Sequence, residues 1–269
     1  MNASNALKHS FRLLIFMLAE ERRDEILQML RAEGRVHVGA LSRHFHTSEV
    51  TIRNDLRALQ ERGQARKAHG GALLPDEMSR DIPLLEKARQ HVAEKQRIGA
   101  AAAALIRDGE TIILDSGTTT QEIAKRIKDR NNLRVITNGI NIAMELVGAR
   151  GVQVILLGGL LRDNSFSIGG HFAAEMLRQF AADKVFLGAD GCDLVFGLST
   201  PNLDEARVNQ AMVGAARERL LVADASKFGK TSLSRIAPLS DMTQVISDQR
   251  LSAEFQGELR AQGLKVVIV

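Results

Sequence analysis

The chain has 269 residues, 45% hydrophobic and 25% charged, with a formal excess of +4 and a single cysteine, Cys192. That length suits two domains, and that apolar content supplies a packed core, which excludes a disordered or low-complexity protein. One cysteine excludes an internal disulfide and fits a reducing cytoplasm, and no Cys or His cluster has metal-ligand spacing.

In chain order, Lys8 and Arg12 precede the apolar run Leu13 to Ala19, which mimics a short secretory signal. The run falls far below the roughly twenty apolar residues that span a bilayer. The expectation is therefore a cytoplasmic protein with no membrane partner. Met17 offers an alternative start; residues 1–16 are then no part of the native chain, and 1–19 form an extension.

Ile26, Leu27 and Leu30 predict a first helix over residues 21–32, and Leu41 a second over 38–45, after a short apolar strand at Val36. His46-Thr47-Ser48 is a polar turn, with Ser48 placed as N-cap of a third helix. In that helix Ile52, Leu56 and Leu59 recur at i, i+4 and i+7, so Val50, Arg53, Asn54 and Arg57 face outward. Arginine can bond two guanine acceptors, asparagine can pair with adenine, and a Val or Thr methyl can meet the thymine methyl. Arg66, Lys67 and His69 lead into Gly70-Gly71, the pattern of a β-hairpin wing lying along phosphates. These features predict a winged helix-turn-helix over residues 20–75, its DNA contacts being Ser48, Val50, Thr51, Arg53, Asn54, Arg57, Arg66, Lys67 and His69. Between Arg22 and Lys67 stand ten Arg and Lys against six acids, so this segment holds the chain's whole formal excess of +4. Ordinary solvated helix charges are the bland alternative, and the order and spacing of the features weigh against it. His37, His44, His46 and His69 read as surface or phosphate contacts rather than metal ligands.

The polar stretch from Pro75 to Pro83 marks a seam, with residues 76–93 predicted as linker and 94–269 as a second domain. An Ala-rich helix opens at Glu94-Lys95 and runs to Arg107. Strands are predicted at 111–114, 133–137, 152–157, 184–187, 220–223, 244–246 and 264–269, and helices at 119–128, 140–149, 171–181, 204–217 and 253–262. Such alternation, with strands apolar on both faces, implies an α/β domain built on a mainly parallel sheet. No G-x-G-x-x-G follows a strand, so no dinucleotide cofactor is expected.

Ligands of such sheets gather at the C-terminal ends of strands. There Asp115-Ser116-Gly117-Thr118-Thr119-Thr120 joins the strand Ile112-Ile113-Leu114 to a helix, so hydroxyls, free amides and the helix dipole converge where a phosphate would fit. A well-capped strand-to-helix turn is the structural alternative. Asn138-Gly139, Gly158-Gly159, Asp190-Gly191 and the Asp224–Phe228 segment end other strands on the same edge. Lys227 could balance a phosphate, and Asp190 or Glu205 could accept sugar hydroxyls; Arg162 and Ser167 are weaker candidates.

The run Ser48-x-x-Thr51-Ile52-Arg53-x-Asp55-Leu56-x-x-Leu59, followed by Gly63 and His69-Gly70-Gly71-Ala72, resembles the N-terminal signature of the DeoR family of bacterial sugar-operon repressors. Where many members carry a second basic residue, this chain has Asn54. Asp115-Ser116-Gly117-Thr118-Thr119, Thr137-Asn138, Gly158-Gly159, Gly188-x-Asp190-Gly191, Gly197-Leu198-Ser199-Thr200, Glu205-Ala206 and Ser226-Lys227-Phe228 resemble that family's effector domain. This domain is similar in fold to ribose-5-phosphate isomerase and the CoA transferases. The resemblance covers residues 20–269, and within the family it is to members that control N-acetylgalactosamine and galactosamine use. It implies a non-enzymatic, homo-oligomeric repressor that binds double-stranded operator DNA and a phosphorylated sugar such as a tagatose or galactosamine phosphate. A sugar-phosphate isomerase or transferase with a fused DNA-binding arm, using Glu205 or Asp190 as base, is the competing expectation.

Overall fold

A computed structural model describes residues 19–33, 35–68, 70–73 and 81–269; residues 1–18 of the expected extension, His69 and residues 76–80 of the expected linker lie outside the described residues, whereas Ala19 opens a helix. The chain divides into two compact units, residues 1–80 and 81–269.

The first unit is a winged helix. Its described elements are α1 (Ala19–Glu33), β1 (Arg35–His37), α2 (Val38–His44), α3 (Glu49–Glu61), β2 (Arg66–Ala68) and β3 (Gly71–Leu73), with the strands in the order β1-β3-β2. The stripe read from the sequence is the core: Ile26, Leu30, Leu41, Ile52 and Leu59 are fully buried beside Val36, Phe45 and Leu56. Ser48 caps α3, its hydroxyl accepting from the Thr51 N–H at 3.1 Å. A Cβ on Gly71 would fall 1.9 Å from the Val36 carbonyl oxygen, so glycine is what lets the wing strand close on β1. Asp55, buried on α3, accepts from Arg22 at 2.5 Å and Arg23 at 3.0 Å and ties the recognition helix to α1.

The second unit is doubly wound. It comprises α4 (Leu84–Arg89), α5 (Val92–Ala103), β4 (Thr111–Leu114), α6 (Thr118–Ala124), β5 (Leu133–Thr137), α7 (Ile140–Leu146), β6 (Val152–Leu156), β7 (Leu160–Arg162), β8 (Ser167–Gly169), α8 (His171–Leu177), β9 (Ala182–Leu187), β10 (Gly191–Asp193), β11 (Gly197–Thr200), α9 (Leu203–Gly214), β12 (Ala216–Val222), β13 (Ser234–Ala237), β14 (Gln244–Ser247), α10 (Ala253–Ala261) and β15 (Lys265–Ile268). Seven strands form one parallel sheet in the order β15-β14-β12-β9-β4-β5-β6. Alternate residues serve opposite faces. Ile113, Val185, Leu187, Leu221 and Val245 pack with Leu177, Met212 and Leu259 of α8, α9 and α10. Ile112, Leu114, Phe186, Val222 and Ile246 pack with Ile98, Ile123 and Ile142 of α5, α6 and α7.

From β4 the chain steps to β5 and β6, then crosses back to β9 on the other side of β4 and continues outward. The strand order therefore reverses between β4 and β9, and a crevice opens outside their C-terminal ends.

Several expectations need correction. Residues 81–93, read as linker, instead belong to the sheet unit, where Leu84 of α4 is buried and Val92 begins α5. The helix expected to run to Arg217 stops at Gly214, and β12 begins at Ala216 because Ala216 and Leu220 are buried in the sheet. The helices expected to reach Arg107, Lys128, Ala149 and Ala181 end at Ala103, Ala124, Leu146 and Leu177. The antiparallel sets β7-β8 and β10-β11-β13 had no counterpart in the sequence reading, because strands of three or four residues show no measurable alternation. No helix among the described residues is long and apolar enough to cross a membrane.

Candidate anion site and nucleic-acid interface

On α3, Val50 is 64% exposed, Arg53, Asn54 and Arg57 are exposed and Thr51 is half-buried. Arg53, Arg57 and Lys67 line a groove of about 210 Å³ between α3 and the wing, floored by Val38, Leu56 and Ala72. Arg53 lies 2.5 Å from Glu49 one turn earlier; an exposed i,i+4 pair of this kind contributes roughly 0.3–0.5 kcal/mol and yields readily to a base or phosphate. The Arg66 backbone lies in β2, and its side chain lies outside the described residues. Part of the basic excess is engaged within the unit: Arg22 and Arg23 turn inward onto Asp55, and the exposed Arg62 pairs with Glu20 at 2.8 Å.

At the crevice between β4 and β9, the bend at residues 115–119 and the loop at 188–190 face each other. A cavity of about 60 Å³ lies there, lined by Asp115, Ser116, Gly117, Thr118, Thr119, Asp190, Glu205 and Lys227 of the predicted set. Asp115 joins the two loops, its carboxylate accepting from the Ser116 N–H at 2.6 Å and the Gly188 N–H at 3.1 Å. Burial, reinforced by the nearby Glu205 charge and opposed by those two N–H groups, pushes the Asp115 carboxyl up to about 7.

Thr120, Asn138, Gly139, Gly158, Gly159 and Gly191 lie outside the cavity lining. The Thr120 hydroxyl lies 2.6 Å from the Asp115 carbonyl and 2.7 Å from that of Gly117, so it braces the bend from behind. Asn138 donates to the Ile168 carbonyl at 3.2 Å. Gly139 and Gly191 serve close backbone passage: a Cβ on Gly139 would fall 2.8 Å from the Ser116 Cα, and one on Gly191 would fall 2.7 Å from the Lys230 carbonyl oxygen. Ser167 pairs with Ser165 at 2.6 Å, and of the two it is Ser165 that lines the cavity.

The sequence reading missed a cationic contribution from residues before the sheet. Lys87 of α4 reaches Asp190 at 2.6 Å, and Lys227 approaches the same oxygen at 3.5 Å. Burial pulls the Lys87 ammonium down, but the Asp190 and Glu205 carboxylates outweigh it and hold it above the ordinary lysine value. Asp190 is likewise driven up by burial and brought below its usual range by Lys87 and Lys227. Glu205 goes the other way, raised chiefly by burial. Lys95 of α5, buried, donates to the Lys87 carbonyl at 2.5 Å and the Gln90 carbonyl at 2.8 Å, and burial lowers it to about 8. Arg162 spans Glu205 at 2.5 Å and Asp81 at 2.6 Å. The apolar pair Leu84-Leu85 before a lysine was the available signal for this segment.

Models of known families divide the chain as the structure does. A DeoR-like helix-turn-helix domain matches residues 22–78, and the DeoR C terminal sensor domain matches residues 90–249. The chain belongs to the DeoR family. Relatives of this DeoR protein span nearly its full length: an Escherichia coli O157:H7 protein assigned as aga operon transcriptional repressor is 41% identical over 251 residues, 93% of each chain. The transcriptional repressor AccR of Agrobacterium fabrum is 36% identical over 236 residues, 87% of this chain and 92% of that one. Among solved structures, ribose 5-phosphate isomerase A from Methanocaldococcus jannaschii matches 50% of this chain and 53% of that one, at 17% identity and a TM-score of 0.37. This member of the family is thus a DNA-binding transcriptional regulator, and both relatives are named as transcriptional repressors.

Proposed function

We propose that this DeoR-family protein represses a sugar or amino-sugar catabolic operon and leaves its operator when a phosphorylated sugar binds the bend at residues 115–119. The observation that carries this reading is the convergence, at the sheet's reversal point, of the Ser116, Thr118 and Thr119 hydroxyls with Lys87, Lys95 and Lys227. Asp190 and Glu205 on the same cavity supply acceptors for sugar hydroxyls. The relative assigned to the aga operon supports an amino-sugar phosphate as effector class. Ser48, Val50, Thr51, Arg53, Asn54, Arg57, Arg66, Lys67 and His69 form the DNA contacts in this reading. The protein works in the cytoplasm as a homo-oligomer, since pairing two half-sites multiplies a single winged helix's affinity. The fused-isomerase reading is not favoured, as the full-length relatives are named as regulators.

A thermal-shift screen with sugar phosphates and the matching free sugars tests the site and the ligand class together. The expected outcome is a rise in Tm with one or more phosphates and none with their unphosphorylated sugars, a ligand at a hundred times its Kd stabilising by about 2.7 kcal/mol. Equal shifts with free sugars would remove the anion from the reading.

A further inference from the structure

We propose that residues 81–91 are a strap across the effector site, that the sugar phosphate displaces it, and that Lys87 is its latch. The inference rests on the reading of the bend as the effector site. A cavity of about 60 Å³ holds a few waters, whereas small-molecule sites occupy roughly 300–1,000 Å³, so a hexose phosphate enters only if a wall gives way. The strap supplies Leu84, Lys87, Gln90 and His91 of that wall.

Asn164 holds the strap by its backbone, donating to the Asp81 carbonyl at 3.1 Å and accepting from the Leu84 N–H at 2.8 Å, whereas the charged ties use groups the ligand would claim. Arg162 clamps Asp81 while its other nitrogen holds Glu205. Lys87 holds Asp190, and Lys95 holds the carbonyls that end α4. Sugar hydroxyls arriving at Asp190 and Glu205 compete with Lys87 and Arg162 for their carboxylates, and a phosphate competes with those carboxylates and carbonyls for Lys87 and Lys95. Both ends of the ligand therefore act to loosen the same segment. His91, at φ +53, sits in the left-handed region between α4 and α5; a non-glycine residue stays there only where its surroundings hold it, which suits a hinge. In the chain the strap follows directly on residue 80, the end of the DNA-binding unit. Its release frees residues that adjoin the DNA-binding unit in the chain, and that change is what the DNA-binding unit receives.

The test is hydrogen exchange on the full chain and on Lys87→Met, with and without galactosamine 6-phosphate, binding being followed separately by calorimetry. The expected result is exchange about tenfold faster at the amides of residues 84–90 when the sugar phosphate is bound, and already in unliganded Lys87→Met, with β4 and β9 still protected. Lys87→Arg, which keeps the charge, should retain the slow exchange. Binding with unchanged or slower exchange over residues 84–90 would overturn the strap. Slow exchange there in unliganded Lys87→Met would overturn the latch, and it does so whether or not the sugar phosphate binds. Failure of both proteins to bind the sugar phosphate counts against the reading of the site, and the latch is then judged by the Lys87→Met exchange.

Discussion

Asp115 and Lys95 share the cavity with Asp190, Glu205, Lys87 and Lys227, and the shifts of both favour an anion at lower pH. Burial is the main cause in each case: it holds the Asp115 carboxyl at about 7 and brings the Lys95 ammonium to about 8. Below pH 7 the carboxyl is neutral and the ammonium charged; as pH rises through 7 and then 8 a negative charge appears and a positive one vanishes. Sulfate, which does not titrate in this range, is the clean probe. Its affinity by calorimetry should fall by about tenfold or more between pH 6 and pH 9, and Asp115→Asn should flatten the lower half of that fall. A flat profile in the native protein would show that neither group faces the anion. At this scale the sequence was readable where residue type and position agree. Ser116 to Thr119, Asp190, Glu205 and Lys227 are all on the cavity, whereas Thr120, one residue further, faces the bend's own backbone. Nothing in a run of three threonines tells which hydroxyl turns inward; that depends on where the first turn of α6 points.

Helix α3 and the wing illustrate how far periodicity reaches at the level of an element. Ile52, Leu56 and Leu59 gave the buried stripe and hence the outward set, and Ser48 gave the start, because each is a local signal with a single solution. Arg53 and Lys67, on opposite walls of one groove, should nonetheless separate in function. Arg53→Ala should lose base discrimination by about 1–3 kcal/mol if the guanidinium bonds one guanine twice. Lys67→Ala should weaken binding to all sequences alike and reduce the salt slope by about one ion. Competition binding against random DNA at several salt concentrations distinguishes them, and equal effects of both variants would contradict the division. Elements held by non-local contacts were not legible. Helix α4 has six residues, too few for a helical period, and its place depends on Lys87 meeting Asp190 a hundred residues later in the chain. The same holds for β10, β11 and β13, each of which packs on a partner distant in sequence or too short to read.

For the whole molecule, the β/α alternation foretold a parallel sheet, and the sheet's reversal between β4 and β9 explains why the polar strand ends meet at one crevice. The crossover back past β4 is a property of the complete chain, and it is what separates the ends that line the cavity from Asn138, Gly158 and Gly159, which belong to strands on the far side of the reversal. Two units with different chemistry then ask for coupling, and a ligand that binds both operator-bound and free protein equally shifts nothing. The measurement that bears most directly on this is operator affinity, by fluorescence anisotropy at fixed salt, on a DNA fragment recovered with the full chain from the genome. Sugar phosphates are titrated in, and their binding is followed in parallel by calorimetry. The account predicts that a phosphate which binds the protein weakens the operator complex by about tenfold or more, the ordinary range of allosteric coupling. A sugar phosphate that binds and leaves operator affinity unchanged would contradict it.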